Sequence, residues 1–311
     1  MLFRLFLAGS VALLTGCHVD FGDSDRFHED FHHSFKVAPG ARLSVDTQNG
    51  SVDISTWDKD EIEINGTKTA SDESLLKQLK VDIDASPNSV RVRVDKPTFR
   101  GNCGVRFAIR VPKKLDLERI KSTNGGIQVN GVEGSANLQT SNGRIEAIRM
   151  TGKAILETTN GSIDLDGHKG YVQARTSNGK ISGDIVKGWL DAHTSNGGID
   201  VKLNEIDSPE PVRLETSNGN ISVVMTAAHS LRARSSNSPI TLRLPEKINA
   251  NLHAETSNSR VDSEFGGESR KSGEDGEDDD RKHRKLDVKI GNGGPVIDLS
   301  TSNGNIRILK S

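Results

Sequence analysis

The sequence predicts an all-β protein: a β-helix (solenoid) of ~18-residue coils with Asn-Gly corners, preceded by a β-rich cap carrying one short helix. Three observations predict it. A Thr-Ser-Asn-Gly-x-Ile motif recurs with its Asn at Asn124, Asn142, Asn160, Asn178 and Asn196, a spacing of 18 residues each time. Apolar and polar residues alternate on both sides of that motif, so each unit holds two half-buried strands. Composition permits only a thin core, because hydrophobic residues are 33% and aromatics 4%, whereas Gly reaches 31 of 311 residues.

At the N-terminus, "MLFRLFLAGSVALLTGC" has one basic residue, Arg4, and then an apolar run from Leu5 to Leu14. The run is too short to span a bilayer and reads as the apolar part of a secretory signal. It ends in Leu14-Thr15-Gly16-Cys17, which resembles the lipobox of bacterial lipoproteins. The resemblance implies that residues 1–16 are a signal peptide and that the Cys17 thiol carries acyl chains such as palmitate. Each buried CH₂ of such chains contributes about 0.8 kcal/mol to anchoring. By the same analogy, His18 in place of Asp points to the outer membrane. The other cysteine, Cys103, is read as structural, with no disulfide framework.

Residues 17–34 are expected to form a polar tether from the lipidated Cys17. Their His28, His32 and His33 lie beside Glu29 and Asp30 but lack a recognised metal-ligand spacing. Residues 35–115 form a β lead-in: "EIEING", "VDIDA", "VRVRV" and "VRFAIRVP" all alternate. Within it "SDESLLKQLK" predicts a helix capped by Ser71, with Leu75, Leu76 and Leu79 as its apolar stripe. An open solenoid end templates aggregation, so this segment reads as the N-terminal coils and cap. A separate ligand-binding domain is the alternative.

Residues 116–311 carry the repeats. Looser copies follow at Asn218, Asn237, Asn258 and Asn303, and an early one stands at Asn49. Counting from each Asn, offsets −6, −4, −2, +3 and +5 are apolar or Thr, as in Val212, Leu214, Thr216, Ile221 and Val223 around Asn218. By parity the Asn is expected to face inward beside the Thr, and the following Gly to turn the chain at φ > 0. A second punctuation falls at Gly134, Gly152, Gly170 and Gly188. Asn-Gly also signals hairpins, so an antiparallel meander is the alternative. Stacked coils account better for repeated Asn, whose amides can ladder from coil to coil. Asn124, Asn142, Asn160, Asn178, Asn196, Asn218 and Asn303 are therefore assigned as structural corners. Residues 266–285, "GGESRKSGEDGEDDDRKHRK", interrupt the repeats and read as a disordered charged loop.

The lipobox, "FKVAPGARLSVDTQNGSVDI", "VRFAIRVPKKLDLERIKSTNGGI" and the repeats together resemble the bacterial putative-adhesin family of β-strand-repeat lipoproteins, related to head GIN-domain adhesin-like proteins. The match runs from Phe35 to Ser311. It implies the solenoid fold and an adhesin-like role, and carries over no functional residues.

A formal charge of −2, from 41 basic and 43 acidic residues, gives no field for nucleic acid or an anionic surface. Catalysis needs a positioned acid and base. Asp164 and Asp200 recur at offset +4, but Gln128, Glu146, Ser182 and Ser222 hold the same place, and His168 and His193 fall at unrelated offsets. The expectation is a non-enzyme with no catalytic residue, no cofactor and no metal. Its reading is a lipid-anchored envelope solenoid, outer-membrane bound, whose surface binds an envelope protein or glycan. A structural or regulatory lipoprotein contacting a membrane protein is the alternative, followed by a carbohydrate-active β-helix enzyme.

Overall fold

In a computed structural model of the protein, residues 27–95, 101–266 and 284–311 are described. Cys17, the expected signal peptide and most of the charged 266–285 segment lie outside them. The N-terminal part contributes β1 (Phe27–Lys36), β2 (Arg42–Asp46), β3 (Val52–Trp57), β4 (Glu61–Ala70), α1 (Glu73–Gln78), β5 (Lys80–Ser86), β6 (Ser89–Asp95) and β7 (Cys103–Pro112). The repeats begin with β8 (Asp116–Lys121), β9 (Ile127–Asn130), β10 (Ala136–Gln139), β11 (Ile145–Ile148), β12 (Ala154–Glu157) and β13 (Ile163–Thr176). They continue through β14 (Ile181–Thr194), β15 (Ile199–Ile206), β16 (Val212–Thr216), β17 (Ile221–Met225), β18 (Leu231–Ser235) and β19 (Ile240–Leu244). The last strands are β20 (Ala250–Thr256), β21 (Val261–Ser263), β22 (Lys285–Ile290), β23 (Val296–Thr301) and β24 (Ile306–Lys310).

Neighbouring coils pair in parallel and one period apart, which a meander does not allow. Ile145 stands opposite Ile127 on one side and Ile163 on the other, and Ile163 opposite Ile181. The strands before and after the Asn thus build two parallel ladders around one thin core. The offsets read from sequence are the buried ones: around Asn160 these are Ala154, Leu156, Thr158, Ile163 and Leu165. The column Ile127, Ile145, Ile163, Ile181, Ile199, Ile221, Ile240 and Ile306 is at most 1% exposed. Burying such a side chain contributes about 1.5–3 kcal/mol, so stacking itself stabilises each coil.

At both ends, order in space departs from order in sequence. β2 lies between β6 and β8, and β3 lies between β7 and β9. Likewise β23 lies between β18 and β20, and β24 between β19 and β21. The Asn303 coil, expected beyond the Asn258 coil, is therefore inserted between the Asn237 and Asn258 coils. Antiparallel strands then extend the stack: β4 on β7, β1 on β4, β5 on β6 and β22 on β20.

Two local readings change. Residues 27–34, expected within the tether, form most of β1, which pairs with β4 along its whole length. The helix is capped by Asp72 and not Ser71: the Asp72 carboxylate accepts from the backbone N–H groups of Ser74 and Leu75. The hydroxyl of Ser74 and these N–H groups hold the Asp72 carboxyl below its ordinary range. Leu75, Leu76 and Leu79 are buried as the apolar stripe required.

Candidate binding surface

The repeated corner is the natural place to look for a site, and the structure divides its labour differently from the sequence reading. Asn124, Asn142, Asn160, Asn178, Asn196, Asn218 and Asn303 all face solvent. The inward partner is the following Gly. Parity fails because the chain shifts phase across Ser-Asn, before the Gly, and not after it. The Asn side chains still form a ladder: Nδ2 of Asn142 donates to Oδ1 of Asn124 at 2.7 Å, Asn160 to Asn142 at 2.7 Å, and Asn178 to Asn160 at 2.7 Å. The run begins at Asn49 and passes through Asn196, Asn218, Asn237 and Asn303 to end at Asn258. It follows order in space, so the inserted Asn303 takes its place between Asn237 and Asn258.

The Gly is required for room, not for a left-handed turn. In the 18-residue repeats positive φ occurs at the other corner, at Gly152, Gly170 and Gly188, and not at Gly161, although the early Asn49 corner has it at Gly50. A Cβ on Gly161 would stand 1.7 Å from the carbonyl oxygen of Gly143 in the coil below. Inside the corner the buried Thr serves as both donor and acceptor. Thr158 Oγ1 donates to the Gly143 carbonyl at 3.1 Å and accepts from the Gly161 N–H at 3.2 Å. The same pair of bonds recurs at the Asn142, Asn178, Asn196 and Asn218 corners and satisfies backbone groups that burial would otherwise strand. Thr47 at the early Asn49 corner makes neither bond.

A groove of about 460 Å³ runs along the stack beside this corner. Its floor is the outward column Lys121, Gln139, Glu157, Arg175 and His193, and its wall holds Ser141, Thr159, Ser177 and Ser195. The floor mixes signs and is partly self-satisfied: Gln139 Nε2 donates to Glu157 at 3.2 Å, and Arg175 reaches Asp191 at 3.3 Å. What it offers a ligand is a series of hydroxyls beside one amide and charges of both signs. This surface is not evident in any single repeat, though offsets −3 and −1 from each Asn spell it out. The aromatics Tyr171 and Trp189 lie next to each other, ring centroids 6.2 Å apart and planes tilted by 45°, with Tyr171 exposed.

The carboxylates examined for catalysis are occupied structurally. Asp164 accepts from Arg144 at 2.7 Å, from Ser162 at 3.0 Å and from Ser182, while Asp200 pairs with Lys180 at 3.2 Å. His168 is fully buried, with Nε2 3.1 Å from the Gly152 carbonyl. Burial pushes its pKa below the ordinary 6.5, so it is neutral in the core. His193 is exposed on the groove floor, apart from His168. Cys103 is buried and forms no disulfide among the described residues. Among the described residues, His28, His32 and His33 belong to no group of metal-ligating side chains.

Residues 40–309 match the Toastrack DUF4097 family, and the chain belongs to it. Three solved structures are similar to the chain. A "putative cell adhesion protein" from Clostridium sporogenes is 14% identical, with 91% of this chain and 100% of that one covered and a TM-score of 0.23. A "putative adhesin" from Bacteroides fragilis is 14% identical over 91% of this chain and 97% of that one, with a TM-score of 0.32. Another from Parabacteroides merdae is 13% identical over 71% of this chain and 91% of that one, with a TM-score of 0.36. No curated protein matches the chain significantly.

Proposed function

We propose that this Toastrack-family chain is a lipid-anchored protein of the outer membrane whose stacked coils serve as a non-catalytic, adhesin-like binding surface. The observation that carries the reading is the groove beside the Asn ladder, where five coils from Lys121 to His193 each add one polar side chain next to a repeated wall of Ser and Thr hydroxyls. A rigid array of this kind suits an extended, hydroxyl-rich or mixed-charge ligand, a glycan or an envelope protein, held by many weak contacts. The lipobox-like Leu14-Thr15-Gly16-Cys17 supports anchoring through Cys17.

The test is binding by whole cells. Cells carrying the chain are expected to capture glycans or envelope proteins from an array, and Glu157→Lys with Arg175→Glu to reduce capture at least tenfold. Cys17→Ser is expected to move the protein out of the membrane fraction. Unchanged capture by the groove variant would sink the assigned surface. Complete shielding of the protein from protease added to intact cells would sink the adhesin-like reading in favour of a periplasmic role.

A further inference from the structure

β1 is an edge strand of ten residues, "FHEDFHHSFK", paired with β4 on one side. No strand pairs with its other side among the described residues. Exposed edges of this length are normally shortened, bulged or covered, because their free N–H and C=O groups template pairing with another chain. Here the order of side chains supplies a specific partner. The strand is a palindrome of chemical type about Phe31. An antiparallel copy in that register places Asp30 opposite His32, Glu29 opposite His33, His28 opposite Ser34, and Phe27 opposite Phe35, each couple occurring twice.

Faces agree as well as hydrogen-bonding chemistry, since an imidazole N–H can donate to the carboxylate opposite it. Phe31 lies over Gly66 and packs edge-on against Phe107 at 6.1 Å, so Phe27, Glu29, His33 and Phe35 share the core side of the sheet. Asp30 and His32 lie on the other side, where Thr67 donates to Asp30 at 2.7 Å and Asn65 lies 2.9 Å from His32. Opposed residues of an antiparallel pair always share a face, so every acid–histidine couple meets on one surface. The remaining long edge at this end, β5, behaves otherwise. Every register centred between Asp82 and Asp84 sets two carboxylates against each other. β22, six residues long, opposes only Asp287 to Lys289 when centred on Val288.

We infer that β1 pairs antiparallel with β1 of a second copy of this chain, centred on Phe31, joining two solenoids end to end through one continuous sheet. The contact is isologous and closes on itself, so it yields a dimer and not a filament. It also removes the open edge from both copies.

The test uses full-length chain in neutral detergent, with two differently tagged copies and capture of one by the other. The wild type is expected to capture itself. Glu29→Lys with Asp30→Lys, and separately His32→Glu with His33→Glu, should each lower self-capture at least tenfold. All four residues are exposed, so circular dichroism should show an intact fold in both variants, although Glu29 pairs with Lys68 at 3.0 Å and the first variant should melt at a modestly lower temperature. Mixing the two variants should restore capture, since each then opposes lysine or histidine to a carboxylate of the other. Absence of wild-type self-capture would overturn the inference. So would variants that capture as well as wild type, or loss in both variants without rescue on mixing.

Discussion

From β10 to β17 each coil lies against the coils that precede and follow it in sequence, whereas at both ends of the molecule it does not. In the central stack, local order and spatial order coincide, and one corner solves the same packing problem repeatedly. At the ends, the earliest coil (β2, β3) and the latest (β23, β24) are each set one place inside the stack. The outermost coils are instead formed by β6 with β7 and by β20 with β21, and antiparallel strands extend them. The difference teaches that a solenoid's interior is modular while its ends are not. A middle coil is replaceable by any neighbour, but the inserted coils hold together segments far apart in the chain.

Deletions break this comparison most forcefully. Removing 143–160, one full period, joins Asn142 to Gly161 and leaves every strand an equivalent partner. The shortened chain is expected to fold and melt in one transition by circular dichroism. Removing 296–311 takes Ile297, Leu299, Ile306 and Ile308 out of the core, on the order of 6–12 kcal/mol of apolar burial. It should abolish hydrogen-exchange protection of β20 to β22. Equal damage from both deletions would show that the centre is no more modular than the ends.

Within the central corner, Gly161→Ala forces a Cβ onto the Gly143 carbonyl and should cost about 3 kcal/mol or more. Asn160→Ala removes exposed amide bonds and should cost only about 0.5–1.5 kcal/mol. Urea midpoints of the two variants check the order. A larger loss at Asn160 than at Gly161 would contradict the outward placement of the ladder.

The smallest effect sharpens the comparison from inside the core. His168 interrupts an otherwise apolar stack, and its Nδ1 has no hydrogen-bond partner among the described residues. Its pKa is lowered on folding, so the folded chain binds fewer protons than the unfolded chain. Stability present above pH 6.5 should fall as pH drops below it, by up to about 1.4 kcal/mol per unit. His168→Leu should flatten that slope in urea titrations carried from pH 6.5 downward.

Much of the molecule was legible because period and alternation are local properties of a chain. The 18-residue spacing, the inward offsets around each Asn, the two strands per coil and the stripe Leu75, Leu76 and Leu79 all read directly. The direction of the Asn did not, because alternation cannot locate a phase shift inside a three-residue corner. A shift before Gly161 and one after it give the same apolar pattern on both sides. The groove also escaped notice, since no single coil contains it and its floor takes one residue from each of five coils.

By itself, the sequence determined that this protein is a stack of Asn-Gly-cornered β coils with an aliphatic core, since those features depend on near neighbours and their period. Only the tertiary structure decided that Gly rather than Asn turns inward, that β1 is a strand and not a tether, and that the first and last coils lie within the stack. Each of these depends on a backbone contact between residues distant in sequence, Gly161 on Gly143, β1 on β4, β23 on β18 and β20. Such contacts are chosen by fit in space, which one-dimensional alternation does not record.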